Sequence, residues 1–590
     1  MYAAALLVTS LFLLFWFLLL KPIFDYFRDI KGLRKYPNYN LLCGISNIGW
    51  CIETWRGGVR SKNLSEMHKT HPVIRIGPNS LSYGDVKALK YIYGHGTPCD
   101  KDPFYQTEIS THYNLGNVID KKDHARKRKT LSGAFGIRNM ENWEFKVAEK
   151  VSQFIAACDE HCTVPLTKAS QLPDSKDLKF DWRAWTNFFT IDAICDIAVS
   201  EHTGLLLRGD DVVTAESVDG TMEEVNFREC LHASKLSNTR IAYATKWYHF
   251  NSQYTTRILP SYRNLWKLAD GWDNLVHHMA KKRLDRGLAG EKLDDLFNFL
   301  MEDKEGAPRN LEWGEIVAEM GVILDAGSAT TAIALNNVIF WLLRNPNCLA
   351  HLRKEVENAL ESTDIIAPYD KVRNLPYLKA CLDESLRITP PFSYNLPRRT
   401  PLEGAIILGK YVPGHTSVSM SSYVAHRDEK IFPDAEKFIP DRWLGGKGQA
   451  LQPYFVPFSA GARGCIGRNV SYMEQMILVA SIVRRYDFAL PHPEWEQARV
   501  EVTNLLPGPL PLKDNIMATE TPFRVMLGLV IVSTEDNDTT IEDSLSSNSR
   551  EKYTFGRFRV FNFAFNIPRS ATIPRKNGRS KYFRNTRLSE

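Results

Sequence analysis

The sequence predicts a mainly α-helical fold with a small β region, built on one long buried helix and on a loop that hands a lone cysteine to a second helix. Three observations carry this. Residues 312–343 are apolar on every side, which suits a helix enclosed by a core better than one lying on a surface. The glycine-rich stretch Phe458-Ser459-Ala460-Gly461-Ala462-Arg463-Gly464-Cys465-Ile466-Gly467 leads into apolar residues at helical spacing, Ile466, Val470, Met473, Ile477 and Ala480. Short β runs, such as residues 73–76 and 405–408, are few among many amphipathic segments.

Composition bounds the rest. The chain has 590 residues, 44% hydrophobic and 24% charged, too apolar for a disordered protein and long enough for a large core. The formal charge of +6 is uneven: residues 550–590 hold eleven Lys/Arg against two acids, which leaves about −3 for the rest. The positive balance belongs to a tail, so the body gives no reason to expect nucleic acid as a partner. Ten cysteines are scattered without a regular framework and read as reduced, mostly buried thiols of a cytosolic compartment. Cys158 and Cys162 share a helix face, but no second Cys/His pair completes a zinc site, so they read as core residues.

Along the chain, residues 1–20 carry no charged side chain and would span about 30 Å as a helix, one bilayer core. Lys21 and Pro22 end the run, and Arg28, Lys31, Arg34 and Lys35 follow, which favours a cytosolic carboxyl-terminal side. No A-x-A-like cleavage site follows it, so the segment reads as a transmembrane anchor and not as a signal peptide. Residues 21–60 read as a hinge or linker, 61–512 as the catalytic domain, and 513–590 as an extension.

The long helix is expected to begin at acidic Glu312 and Glu315 and to stop at Asn345-Pro346. Ala326-Gly327-Ser328-Ala329-Thr330-Thr331 at its middle places small residues and hydroxyls where they weaken the backbone ladder and leave room for a ligand, or mark close helix packing. A further helix starts near Pro376 and ends before Pro390-Pro391; on it Glu384 and Arg387 share a face, as many exposed pairs do. At the cysteine loop, a thiol near a helix start gains from backbone N–H groups that lower its pKa. Gly467 leaves space for a planar macrocycle, and Arg463 can pair with a carboxylate at its edge.

These motifs, in this order, resemble the cytochrome P450 family over residues 30–512, and the handful of residues just named carry the likeness. A fourth motif, Phe438-x-Pro440-Asp441-Arg442-Trp443, precedes the cysteine loop. The resemblance implies the P450 fold and haem b with Cys465 as the axial iron ligand. It implies Phe458, Gly461, Gly467 and Gly327 beside the cofactor, and Arg463, Arg398, His124 and Arg128 as partners of its propionates. The usual Trp at the start of His124-x-x-x-Arg128 is His here. Arg126, Lys127 and Lys129 are expected in solvent or on a basic surface for the reductase. Glu384, Arg387 and Arg442 are expected as a buried structural network.

The implied activity is monooxygenation, with Thr330 matching the family threonine that guides protons in dioxygen activation. The position before it, usually Asp or Glu, is Ala329. Asp325 lies one turn earlier and could feed protons through a water, or could simply face polar groups. Phe104, Tyr105, Ile323, Phe392 and Tyr394 are expected to line the pocket, within residues 104–118, 229–262, 322–329 and 391–395. The chain is most similar to microsomal filamentous-fungal members, the benzoate para-hydroxylase type and secondary-metabolite oxygenases. Expected partners are an NADPH-cytochrome P450 reductase, a lipophilic small-molecule substrate and the endoplasmic reticulum membrane, crossed once with the catalytic domain cytosolic. An aromatic-acid hydroxylase, or a non-oxygenating haem-thiolate isomerase or dehydratase, remains the alternative.

In the extension, residues 523–532 could form an apolar strand, 534–549 are acidic, and 550–590 interleave aromatic and basic residues. A disordered tail, an RNA- or membrane-binding segment and a gene-model artefact are all open readings.

Overall fold

The computed structural model describes residues 2–161, 180–217 and 219–515. Cys162 and the sequence expectations for 516–590 lie outside the described residues.

The central element is a helix of 32 residues, Trp313–Arg344, capped by Glu312 and stopped at Asn345. It is buried from Ser328 to Phe340 with Thr330 only half-covered, because it is flanked by Trp182–Val199, Pro260–Leu288, Pro376–Ile388 and Arg468–Arg485. Trp182–Val199 is itself buried along almost its whole length. Among the described residues, Trp313–Arg344 is the one uninterrupted helix apolar and long enough to cross a bilayer. Its burial marks it as a core helix.

A five-stranded sheet packs beside the helices in the order Val73–Gly77, Ser80–Tyr83, Ser417–Ser419, Arg398–Arg399, Asp100–Lys101. The pairing of Ser80–Tyr83 with Ser417–Ser419 is parallel and the others are antiparallel. The sheet brings Lys101 opposite Arg398, which sets two cations side by side. A three-stranded sheet ends the body, with Pro511–Asn515 between Asp487–Ala489 and Phe180–Asp181. The strand Pro511–Asn515 crosses the expected boundary at 512.

The expected linker at 21–60 is largely built into the body. Leu33, Cys43 and Trp50 are buried in two satellite cores, and Arg60 is sealed under Trp50 and bonded to Val502 O at 2.9 Å. Upstream, helical backbone runs unbroken through Tyr2–Phe15, a π-helical turn Trp16–Leu20, and Lys21–Arg28. Leu6, Leu11, Phe12, Phe15, Phe17 and Leu19 are exposed along it.

Candidate functional site

The cysteine loop is closed by its backbone. Cys465 N–H donates to Phe458 O at 2.9 Å, and Gly467 caps the helix Arg468–Arg485. Gly461 sits at φ +66°, and a Cβ there would lie 2.2 Å from Tyr93 O, so this glycine lets the loop press against Tyr93–Gly94. A Cβ at Gly467 would meet nothing nearer than Phe135, 3.9 Å away, which leaves that side open. The Phe458 ring packs on Tyr472 at 5.3 Å, with the Arg468 guanidinium over both.

Cys465 keeps exposed surface, yet protein encloses it closely enough that burial pushes its thiol pKa up. The exposed surface therefore faces an internal space. N–H groups of Gly467 and Arg468 and the cations Arg128 and Arg468 act in the opposite direction and do not overcome burial. The expected lowering by N–H groups at the helix start is present, but burial outweighs it. A bound metal ion would deprotonate it outright.

Five nitrogen-bearing side chains converge near this space. Arg463 donates to Val118 O at 2.5 Å and Ile119 O at 2.8 Å, and Arg128 to Gly464 O at 2.6 Å. Arg398 donates to Tyr105 OH at 3.2 Å. Lys101 donates to Gly116 O and lies 4.1 Å from the Tyr105 ring centre. Among the described residues none of these four cations forms an ion pair with a carboxylate. His124 sits among them, its pKa lowered to about 4 by burial and then by Arg463, Lys101, Arg128 and Arg398. Burial and Arg398 likewise lower Arg463 to about 10, and burial with Arg398 and Arg463 pulls Lys101 well down.

Like charges held together with Lys101 and Arg398 buried and no counter-charge are costly, so the cluster calls for an anionic partner. The two propionates of haem b meet that requirement, and the thiol, the open glycine side and the internal space suit the rest of the group. The sequence pointed to His124, Arg128, Arg398 and Arg463 but missed Lys101, which stands alone between Asp100 and Asp102 with no motif around it.

On the central helix, Ala326 is exposed between half-buried Asp325 and Gly327, on a helix otherwise enclosed by its neighbours, so it faces the internal space. Thr330 Oγ1 donates to Ala326 O at 2.8 Å. Gly327 does not face that space: a Cβ there would lie 2.5 Å from Ile194, so its absent side chain admits the neighbouring helix Trp182–Val199 and the expected cofactor contact gives way to helix packing. Asp325 is also redirected. Its Oδ2 lies 2.6 Å from Lys235 Nζ on the helix Phe227–Ala242, so the carboxylate is committed to a lysine and not free to relay protons. Lys127, expected in solvent, is buried and paired with Glu315 at 2.5 Å and Glu319 at 3.1 Å, and Arg126 bonds Glu315 at 2.6 Å. Lys129 is exposed.

Beneath the cysteine loop, Glu384 accepts two bonds from Arg387, at 2.9 and 2.8 Å, and one from Arg442 at 3.0 Å. The backbone N–H of Ile439 and the indole of Trp443 add two more, each at 2.9 Å. Arg387 in turn donates to the carbonyls of His426, Ala435 and Lys437. His426 accepts from Val456 N–H at Nε2, 2.9 Å, and bonds Arg387 O through Nδ1, 3.2 Å. This tautomer is fixed by its partners. Trp443 and His426 complete the network. Trp443 was visible within a motif, whereas nothing local marked His426.

Phe104, Tyr105 and Tyr394 cluster with Ala242, against Tyr243 and Phe392, as an aromatic wall. Ile323 is 7% exposed on the central helix.

The fold and this site define a haem-thiolate protein. The chain belongs to the cytochrome P450 family, whose model, described as Cytochrome P450, matches residues 54–512. Family members bind haem b through a cysteine thiolate, and curated relatives are monooxygenases. The benzoate 4-monooxygenase bphA of Aspergillus niger is 28% identical over 479 residues, 78% of this chain and 88% of the relative. The cytochrome P450 monooxygenase atr2 of Stereocaulon alpinum is 30% identical over 492 residues, 79% and 86% of the two. The cytochrome P450 monooxygenase efuB of Hormonema carpetanum is 28% identical over 461 residues, 76% and 85%.

Proposed function

We propose that this chain is a membrane-anchored monooxygenase that oxidises a lipophilic small molecule in fungal secondary metabolism, with Cys465 as its iron ligand. The observation that carries the reading is the cation cluster beside the cysteine loop, with Lys101 and Arg398 buried, Arg128 and Arg463 half-buried, and no carboxylate paired with any of them among the described residues. When bound, haem b supplies the activation of dioxygen and the insertion of one oxygen atom.

The chain's residues do the remainder. Cys465 would hold the metal, and the cations with His124 would hold the propionates. The Thr330 hydroxyl can exchange its bond to Ala326 O for one to a water in the cavity, handling a proton at Oγ1. The aromatic wall of Phe104, Tyr105, Tyr243, Tyr394 and Phe392 excludes water and shapes the substrate's seat. The exposed apolar side chains of the first helix support an anchor, and the basic residues that follow support a single pass through the endoplasmic reticulum membrane with the body cytosolic. Electrons would come from an NADPH-cytochrome P450 reductase.

Purified protein, reduced under carbon monoxide, tests the ligand: a strongly red-shifted Soret band that disappears in Cys465→Ser is expected, and its survival in that variant overturns the assignment. Turnover with reductase, NADPH and labelled dioxygen tests the reaction. Label in the product is expected; product without label would favour an isomerase or dehydratase.

A further inference from the structure

Lys235 and Asp325 pair beside the central helix, next to exposed Ala326, within electrostatic reach of Glu108. Glu108 ends the turn Pro103–Glu108, Lys235 stands in the helix Phe227–Ala242, and Asp325 immediately precedes exposed Ala326. Asn238 Nδ2 donates to Thr107 O at 2.8 Å and ties the turn to the helix that carries Lys235. Lys235 keeps 39% of its side-chain surface and Asp325 17%. Burial nonetheless acts on Lys235, opposed by the charges of Asp325 and Glu108, which hold its pKa up. Surface that is retained by a residue so enclosed faces an interior space, as at Cys465.

Their charges do not balance. Lys235 is taken by Asp325 at 2.6 Å. The other nearby cation, Lys101, is bonded to Gly116 O and stacked on Tyr105. Among the described residues Glu108 has no hydrogen bond and no ion pair at its carboxylate, although its backbone oxygen accepts from Asn117 at 2.9 Å. Burial pushes its pKa up, with Lys235 and Lys101 opposing and Asp325 adding to the rise. Glu108 is half-buried, and a carboxylate that no protein group donates to is open to a donor from a ligand. Beside it Phe104 and Tyr105 belong to the aromatic wall.

We infer that Glu108, poised by the Lys235–Asp325 pair, is the specificity residue of the pocket and receives a hydrogen-bond-donating group, an amine or hydroxyl, on an otherwise apolar, flat substrate. A free carboxylic acid meets a carboxylate there and finds its lysine already engaged, so benzoate, the substrate in the name of one relative, does not suit this pocket. The inference rests on the haem-thiolate reading above.

The test uses imidazoles that carry a long alkyl chain ended by an ammonium, a hydroxyl or a carboxylate. The imidazole nitrogen ligates the iron and shifts the Soret band, while the chain end probes the pocket. In the full-length holoprotein the ammonium and hydroxyl probes should bind about tenfold tighter than the carboxylate probe, a difference of about 1.4 kcal/mol. Glu108→Gln should shrink that ratio to about threefold or less, and Glu108→Asp should retain it. Asp325→Asn, which frees Lys235, should move preference toward the carboxylate probe even if Glu108→Gln fails to fold. Equal affinities in the wild type, tightest binding of the carboxylate, or an unchanged ratio in Glu108→Gln overturns the inference. Failure of plain imidazole to shift the Soret band overturns the haem-thiolate reading itself, and that result is distinct from the others.

Discussion

Trp443 donates its indole N–H to Glu384 Oε2 at 2.9 Å, across 59 residues of chain. Glu384 is fully buried and accepts five bonds in all, from Arg387, Arg442, Ile439 and Trp443. Its lone pairs are thus filled by donors from one helix and from the loop that precedes Cys465. The bond connects the helix Pro376–Ile388 to the segment that places the iron ligand.

Trp443→Phe removes that one bond and leaves a buried carboxylate oxygen short of a donor. The expected cost is about 1.5–3 kcal/mol, read by urea unfolding of the holoprotein. Glu384→Ala strands two guanidinium groups and should cost about 3–5 kcal/mol. In that variant the carbon monoxide band should be lost altogether, because the cysteine loop has lost its foundation.

His426 titrates in a window that depends on its enclosure. Burial and then Arg387 and Arg427 lower its pKa to about 3 from 6.5. The unfolded chain therefore binds the proton first as pH falls. The stabilisation from neutral His426 is complete above about pH 6.5 and is lost progressively down to about pH 3. His426→Asn should flatten stability against pH across that interval, while lowering stability at pH 7 through the weakened bonds to Val456 N–H and Arg387 O. Urea unfolding at a series of pH values measures both.

Glu474 gives the opposite slope. It is 1% exposed on Arg468–Arg485, meets the Thr331 hydroxyl, and burial pushes its pKa up to about 8 from 4.5. The folded protein holds this proton more tightly than the unfolded chain. Stability tied to the neutral carboxyl is thus full below about pH 4.5 and lost as pH rises to about 8. Glu474→Gln, neutral at every pH, should melt close to wild type at pH 5 and at higher temperature than wild type at pH 8.5.

Lys101→Met makes a prediction with two signs. In the apoprotein it relieves repulsion with Arg398 and Arg463, so the apo form should melt higher. With haem bound it removes a counter-charge, so haem should dissociate faster, by about three- to tenfold. Transfer of haem to apomyoglobin measures the second effect. A rise in both stabilities would break the link between this cluster and the propionates.

Much of this site could be read from the chain because its pieces are local. The cysteine loop, the mid-helix Ala326–Thr331 run and the Glu384–Arg387 pair each declare themselves within ten residues. The long helix was legible from its apolar faces and its Asn345-Pro346 stop. What stayed hidden depends on packing at long range. Lys235 reaches Asp325 only because Phe227–Ala242 lies across the central helix, and Lys101 meets Arg398 only through strand pairing. Lys127 reads as a surface cation by sequence, and only the contact with the central helix brings it to Glu315 and Glu319. Residues 21–60 looked like a tether because Leu33, Cys43 and Trp50 fill satellite cores contributed by later segments.

The missing side chain at position 327 restricts what evolution can do with this molecule. A methyl there would lie 2.5 Å from the Ile194 side chain, so that side chain would have to shift to admit it. Alanine at 327 is accommodated best once 194 has shrunk or turned its side chain away, so the two positions are expected to drift together. A lineage that enlarged 327 first would carry a cost of about 1–3 kcal/mol until 194 compensated.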